Sequence, residues 1–227
     1  MLLEKLFDKF EHIIFIDVET TGLNQKLDEI IEIGGIRIIL CNGEICIDKE
    51  LDILIRLSDY KTVSQQIVHL TGITSEMLDE KGFDKIVACE KLVDLLNVDN
   101  PLIVTYNAQF DLSFIYYFLY NFGKENILCK IKMLDALTVY KDRRDYPHKL
   151  ENAIQSYNID IKNTHRAIDD ARATYKLFLA MDQEMSDLDQ YINLFGFNPR
   201  YGINGPRISS IQYVPQFYDK NKKLYEK

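Results

Sequence analysis

The stretch Ile13-Ile14-Phe15-Ile16-Asp17-Val18-Glu19-Thr20-Thr21-Gly22 decides how the rest of the chain is read. Ile13 to Val18 is a continuous apolar run with a charged end, Asp17-Val18-Glu19, which reads as a central strand buried on both faces. Asp17 and Glu19 are two apart, so both point to one face at the strand's C-terminal end. Downstream, Ile30 to Leu40 and Ile45 to Ile55 are two further β-rich runs, joined by Asn42-Gly43, a two-residue hairpin turn. The expected beginning is three antiparallel strands.

Helix and strand signals alternate from there. Short helices are expected at Ser64 to Leu70 and at Ser75 to Leu78, with Ser75 as a cap, and a longer one at Asp84 to Leu96. Pro101 then breaks the chain before a strand at Leu102 to Thr105, and a helix from Asp111 to Phe122 stops at Gly123. Lys132 to Asp135 reads as a last short strand, followed by helices at Ala136 to Tyr140, Lys149 to Tyr157 and Arg166 to Met185. This order implies an α/β domain on a mixed sheet flanked by helices, antiparallel in its first three strands and parallel after them. Beyond Met185, Gly196, Pro199, Gly202, Gly205 and Pro206 punctuate a loop-rich segment with one strand expected at Ile208 to Val214. A boundary near 185 separates a domain over 1–185 from an extension over 186–227.

The 227 residues can bury a sizeable core, and 47% hydrophobic with 27% charged residues is ordinary for a globular protein. Lys plus Arg number 27 against 35 Asp plus Glu, a formal charge of -8. That balance argues against a histone-like or repressor-like protein that coats duplex DNA non-specifically, but not against an enzyme gripping a short stretch of nucleic acid. The cysteines at 41, 46, 89 and 129 show no zinc-type pairing and read as reduced thiols. In the hairpin register Cys41 faces Glu44 and Cys46 faces Ile39, so the two need not meet. MLLEKLFDKFEH has no apolar core of a signal peptide, and no apolar run approaches 18 residues. The expectation is a soluble cytoplasmic protein with no membrane partner.

Carboxylates converge in this arrangement. Asn107 and Asp111 follow the Leu102 strand, placing an acid at the start of a helix, and His165 stands just ahead of the last long helix. Of the adjacent acids in that helix, Asp170 falls on the apolar stripe Ala167, Ala171, Thr174, Phe178 and Met181, while Asp169 shares a face with Arg172 and Lys176. Asp170 therefore points inward, where an ionised carboxylate needs a partner. Acids aimed at one place repel unless cations are present, and oxygen ligands suit Mg²⁺ or Mn²⁺ better than zinc. Two such ions about 4 Å apart can activate water and stabilise a leaving oxygen at phosphorus, with a loop histidine as general base.

The motifs Asp17-Val18-Glu19-Thr20-Thr21-Gly22, Asn107-Ala108-Gln109-Phe110-Asp111 and His165-Arg166-Ala167-Ile168-Asp169-Asp170-Ala171 resemble those of the DEDDh 3′–5′ exonucleases of the ribonuclease H-like superfamily. The likeness is greatest to the epsilon-type proofreading exonucleases of bacterial DNA polymerase III. It covers roughly residues 11 to 185, and His69-Leu70-Thr71-Gly72-Ile73-Thr74 resembles the segment between the first two motifs. Tyr106 departs from the histidine many relatives carry, a change at a position next to the substrate residues.

The resemblance implies the ribonuclease H-like exonuclease fold and two Mg²⁺ ions, for which Mn²⁺ would substitute. Asp17 would bridge the ions, Glu19 and Asp170 would complete the first site, and Asp111 would hold the second. His165 would take the proton from the attacking water. Thr20, Thr21 and Leu23 would meet the terminal nucleotide, with Asn107, Phe110 and His69 as further substrate contacts. The implied substrate is a single-stranded DNA 3′ end, shortened by nucleoside 5′-monophosphates in proofreading or repair, with a DNA polymerase subunit as possible partner. An exoribonuclease trimming RNA 3′ ends is the alternative, and a non-catalytic nucleic-acid or polymerase-binding subunit a third reading.

Weaker features stay open. Phe110, Phe114 and Phe118 recur at helical spacing as core or as stacking groups, and His69 either packs or touches substrate. Lys141, Arg143, Arg144, His148 and Lys149 are either a phosphate track or a solvated loop. The extension could clasp a polymerase, lengthen a nucleic-acid groove with Arg200, Arg207 and Lys220 to Lys223, or cover a sheet edge.

Overall fold

Strand β1 (His12–Thr20) is apolar without alternation because it is covered on both sides. Ile13 and Phe15 belong to one cluster with Ala171, Leu177 and Phe178, while Ile14, Ile16 and Val18 join another with Leu92, Leu95, Leu112 and Ile115. The computed structural model describes residues 2–161, 164–203, 205–217 and 222–227. β1 pairs antiparallel with β2 (Ile30–Cys41), from Ile13 opposite Ile38 to Glu19 opposite Glu32. β3 (Glu44–Leu54) returns through Asn42 and Gly43, both at positive φ, as the two-residue turn requires. β4 (Pro101–Thr105) and β5 (Lys132–Asp135) add parallel strands, giving the order β3-β2-β1-β4-β5. This is the expected mixed sheet. Pro101 is the first residue of β4 rather than a break ahead of it, a position where a missing N–H is tolerated.

Helix α1 (Glu4–Phe7) precedes the sheet, and α2 (Gln65–Thr71), α3 (Ser75–Lys81) and α4 (Lys85–Leu96) follow its hairpin. Thr74, not Ser75, caps α3 by accepting from the Met77 amide, while Ser75 Oγ accepts from Val63 N at 2.9 Å. Helix α5 (Ala108–Tyr120) begins three residues before the expected start at Asp111. The cause is tertiary. Asn107 turns the chain at φ 72, and Asp135 Oδ1 accepts the amides of Asn107 and Ala108 at 3.0 and 3.1 Å. Asp135 also caps α6 (Ala136–Arg143), and α7 (Leu150–Ser156) leads on to α8 (Ala167–Glu184). All five residues of the expected apolar stripe of α8 are buried, and the helix lies on the Ile13/Phe15 face of the sheet.

After α8, β6 (Leu194–Phe197) and β7 (Gln212–Pro215) form a separate two-stranded parallel sheet, shorter than the strand expected over Ile208 to Val214. The segment covers the open edge of β5: Asn193 N donates to Met133 O at 2.7 Å, and Asn193 Oδ1 accepts from Met133 N at 2.9 Å. That is the pairing a sixth strand would make, reduced to one residue. The four cysteines are free, and Cys41 lies opposite Glu44 and Cys46 opposite Ile39, as the hairpin register predicts; the neighbouring Cys46 pushes the Cys41 thiol up. Among the described residues, no helix is long and apolar enough to cross a membrane.

Candidate active site

Strand parity builds the site. Asp17 and Glu19 share the face of Ile13 and Phe15, the face that α8 covers, and they lie where β1 has outrun β4, whose pairing ends at Phe15 opposite Val104. Beyond that point the Val18 amide has no strand partner, and Asp111 takes its place, accepting from Val18 N at 3.2 Å. Asp111, 2% exposed in the first turn of α5, is thereby held against the strand between Asp17 and Glu19.

The third motif arrives from above. Gly34 stands opposite Asp17, and a Cβ there would lie 2.0 Å from Ile168 N and 2.1 Å from Ala167 C. Only glycine lets α8 start so close to the sheet. Glu32, opposite Glu19 and fully buried, accepts from Arg166 Nε and from Ala167 N, each at 2.8 Å, fastening the first turn of α8 to β2. Asp170 descends from that turn, 7% exposed, and its Oδ1 is buried with no hydrogen-bond partner among the described residues. Ligating atoms of Glu19, His165 and Asp170 all lie within 4.8 Å of one another. His165 is exposed and left-handed at φ 52, immediately before the Arg166 clamp. Asp169 faces outward, bonded to Thr164 and Arg172, as its helical position requires.

The electrostatics follow. Burial, then Asp111, Asp170, Glu19 and Glu32 in that order, raise the Asp17 carboxyl well above the usual carboxylate range. Burial, Asp170 and Glu32 push Glu19 up to about 8, and burial with Asp169 and Glu32 pushes Asp170 up to about 7. Asp111 is raised by burial, against the opposing pull of the Val18 amide. Glu32 is already committed to Arg166 and Ala167. Arg166 also pulls Glu19 down, but less than burial and the neighbouring acids raise it, and the orphaned Asp170 oxygen sits among these carboxylates. This donor set fits hard divalent cations, which would relieve the repulsion and supply the missing partner.

Expected substrate residues divide. Leu23, Asn107 and Phe110 line one cavity of about 690 Å³, together with Asn24, Gln25 and Gly205. Leu23 is 83% exposed, and Phe110 is half-buried with its ring 5.0 Å from that of Phe114. Phe114 and Phe118 are core. Thr20 is buried and donates to Gly22 O at 2.6 Å, while Thr21 Oγ1 accepts from Glu29 N at 3.0 Å. Both hydroxyls hold the loop after β1. His69 is exposed on α2 and does not line the cavity of Leu23, Asn107 and Phe110. Tyr106 is buried and donates to His148 O at 2.7 Å, so its side chain is spent inside the fold. The basic stretch is largely committed as well: Arg143 pairs with Glu184 and Asp187, and Arg144 with Glu184. Arg200 and Arg207 are exposed beside Tyr201 and Tyr213, and Lys220 lies outside the described residues.

Glu32, Gly34 and Asp135 are the residues that the motif reading misses. A signal for the first two exists: a lone acid and paired glycines inside the apolar run Ile30-Ile31-Glu32-Ile33-Gly34-Gly35 mark a close approach of backbone.

A mixed sheet with buried acids gathered at the end of its central strand defines an α/β class whose site is compatible with divalent-cation binding. The sequence model of the Exonuclease family matches residues 14–178, and the chain belongs to that family, as a DEDDh member of the ribonuclease H-like superfamily. It is 35% identical over 192 residues to the PolC-type DNA polymerase III of Clostridium perfringens, covering 80% of this chain and 12% of that protein. The corresponding protein of Thermotoga petrophila is 34% identical over 184 residues, covering 79% and 12%. The chain thus spans about an eighth of the length of these relatives. In fold it is similar to E. coli exonuclease I in complex with a dT13 oligonucleotide, at a TM-score of 0.70 and 21% identity over 80% of this chain and 43% of that one. Exonuclease I from Methylocaldum szegediense gives a TM-score of 0.65 at 17% identity, over 78% and 41%.

Proposed function

We propose that the chain is a two-metal 3′–5′ exonuclease that removes nucleoside 5′-monophosphates from single-stranded DNA ends, in proofreading or repair. The observation that carries this reading is the gathering of Glu19, His165 and Asp170 ligating atoms within 4.8 Å, beside Asp17 and Asp111, with one Asp170 oxygen buried and unpaired among the described residues. Family membership and the PolC-type relatives support it, and the oligonucleotide complex of the fold relative supports a DNA strand as substrate.

Asp17, Glu19, Asp111 and Asp170 would hold the cations, Mg²⁺ or Mn²⁺. Bound there, the ions supply charge neutralisation at the phosphate and a water of lowered pKa. The chain's own contribution is placement. The Val18 amide fixes Asp111, and the Glu32–Arg166 clamp fixes Asp170. His165 accepts the proton of the attacking water at an exposed ring nitrogen and returns it to solvent. Leu23, Asn107 and Phe110 offer the terminal nucleotide an apolar and amide-lined recess. A polymerase would hold the enzyme on its DNA, which a chain of charge -8 does poorly alone.

The test is digestion of 3′- and 5′-labelled DNA and RNA oligonucleotides with Mg²⁺, with Mn²⁺ and with EDTA. Stepwise shortening of DNA from the 3′ end, abolished by EDTA and by Asp17→Ala, is expected. No cleavage of either polymer refutes the reading, and a strong preference for RNA replaces it with the ribonuclease.

A further inference from the structure

Gln109 stands between Asn107 and Phe110 at the mouth of the cleft, yet its own amide is occupied at both ends by the extension. Nε2 donates to Pro206 O at 2.8 Å, and Oε1 accepts from the Tyr213 hydroxyl at 2.8 Å. That hydroxyl accepts in turn from Ile208 N at 3.1 Å, and the Tyr213 ring packs edge-on against buried Phe195. The result is a closed polar circuit that fixes one segment of the extension on the start of α5.

The same segment reaches the loop after β1. A Cβ on Gly205 would lie 2.6 Å from Ser113 Oγ and 3.2 Å from Gln25 Nε2, and the residue is left-handed at φ 77. Gly205 is therefore seated on α5 and on the loop that carries Leu23 at once. The cavity of about 690 Å³ has Asn107 and Phe110 on one side, Leu23 and Gln25 on another, and Gly205 on a third. Its volume falls in the range of about 300–1,000 Å³ usual for small-ligand sites. Exposed Leu23 and half-buried Phe110 present apolar surfaces suited to a flat base, and the amides of Asn107 and Gln25 suit its polar edge.

We infer that Gly205, held in place by the segment to Tyr213 that is latched through Gln109, forms a wall of the pocket that receives the terminal nucleotide. The inference rests on the exonuclease reading for its substrate class. It assigns the extension, which lies outside the family match over 14–178, a part in substrate binding beyond covering the β5 edge.

The test compares wild type with Tyr213→Phe, which removes the hydroxyl from the circuit, and with Gln109→Glu, which keeps its size but cannot donate to Pro206. Binding of thymidine 5′-monophosphate is measured by calorimetry in Mg²⁺, alongside KM and kcat on a single-stranded oligonucleotide. Both variants are expected to weaken nucleotide binding and raise KM about tenfold, with kcat reduced less than threefold and Mn²⁺ affinity unchanged. Nucleotide affinity and KM equal to wild type in a folded variant overturn the wall, as does failure of wild type to bind the nucleotide. If Tyr213→Phe does not fold, Gln109→Glu decides by the same readouts. Should wild type bind the nucleotide but cleave nothing, the exonuclease reading fails, while weaker binding by the variants still upholds the wall.

Discussion

Glu32 and Arg166 meet across the gap between β2 and the start of α8, with Glu32 buried and the Arg166 side chain one-third exposed. The pair holds the backbone that carries both His165 and Asp170, because the second oxygen of Glu32 accepts the Ala167 amide. A fifth acid in an already acidic site raises Glu19, Asp17 and Asp170, so it worsens repulsion while tethering the helix. Its place beside them is that of a positioning device.

Glu32→Ala is expected to lower stability by about 2–4 kcal/mol, since it strands a partly buried guanidinium and a helix amide together. Urea denaturation measures this. Turnover should fall more than tenfold at temperatures where the variant is fully folded. A folded variant with wild-type turnover refutes the positioning role.

Gly34→Ala tests the same contact from the sheet. Its methyl would collide with the backbone of Ala167 and Ile168, which cannot swing aside as a side-chain tip can. Overpacking of this kind costs about 1–3 kcal/mol or more. The displaced helix would carry Asp170 away from Asp17, so Mg²⁺-dependent stabilisation should shrink along with activity. Thermal melts with and without Mg²⁺ check both at once.

Local patterns exposed much of this design to a reader of the sequence. The unbroken run Ile13 to Val18 announced a strand covered on both faces, and helical periodicity singled out Asp170 over Asp169 because one falls on the buried stripe. What stayed hidden were bonds between distant segments. Asp135 fixes the start of α5 from 28 residues away, Glu32 holds Arg166 from 134, and Gln109 reaches Pro206 over 97. Such pairs leave no periodicity, and a lone acid or amide looks the same whether it faces solvent or a partner. The motif residues Thr20 and Thr21 show the converse: they were legible as a motif, but their hydroxyls serve the loop.

The raised carboxyls make a prediction about pH. Unfolded, Asp170 and Glu19 titrate near 3.8 and 4.5; folded and metal-free they are pushed to about 7 and about 8. Below about pH 3 both are protonated in either state and their repulsion is absent. As pH rises through about 8 the folded protein is forced to ionise them, so stability is lost. The Tm in EDTA should therefore fall between pH 5 and 8 by more than in Asp170→Asn, which should exceed wild type in stability at pH 8 without metal. Millimolar Mg²⁺ should reverse that order, since saturation at 100-fold over Kd contributes about 2.7 kcal/mol to wild type alone. A wild-type Tm in EDTA that is flat over this range contradicts the clustered-acid account.

His165 has two chemically distinct uses, and the geometry makes the choice testable. Its ring nitrogen lies within 4.8 Å of Glu19 and Asp170 oxygens, near enough to serve as a ligand, yet the residue is exposed at the rim, where a base needs a path to solvent. A base contributes about 10²–10⁴-fold to rate and nothing to cation affinity. As base, His165→Ala should lose that factor while Mn²⁺ titration gives the wild-type affinity. As ligand, the same variant should bind Mn²⁺ as weakly as Asp170→Asn. The exposure of the ring and the commitment of Glu32 elsewhere favour the first outcome. Calorimetry of Mn²⁺ binding to the two variants separates them.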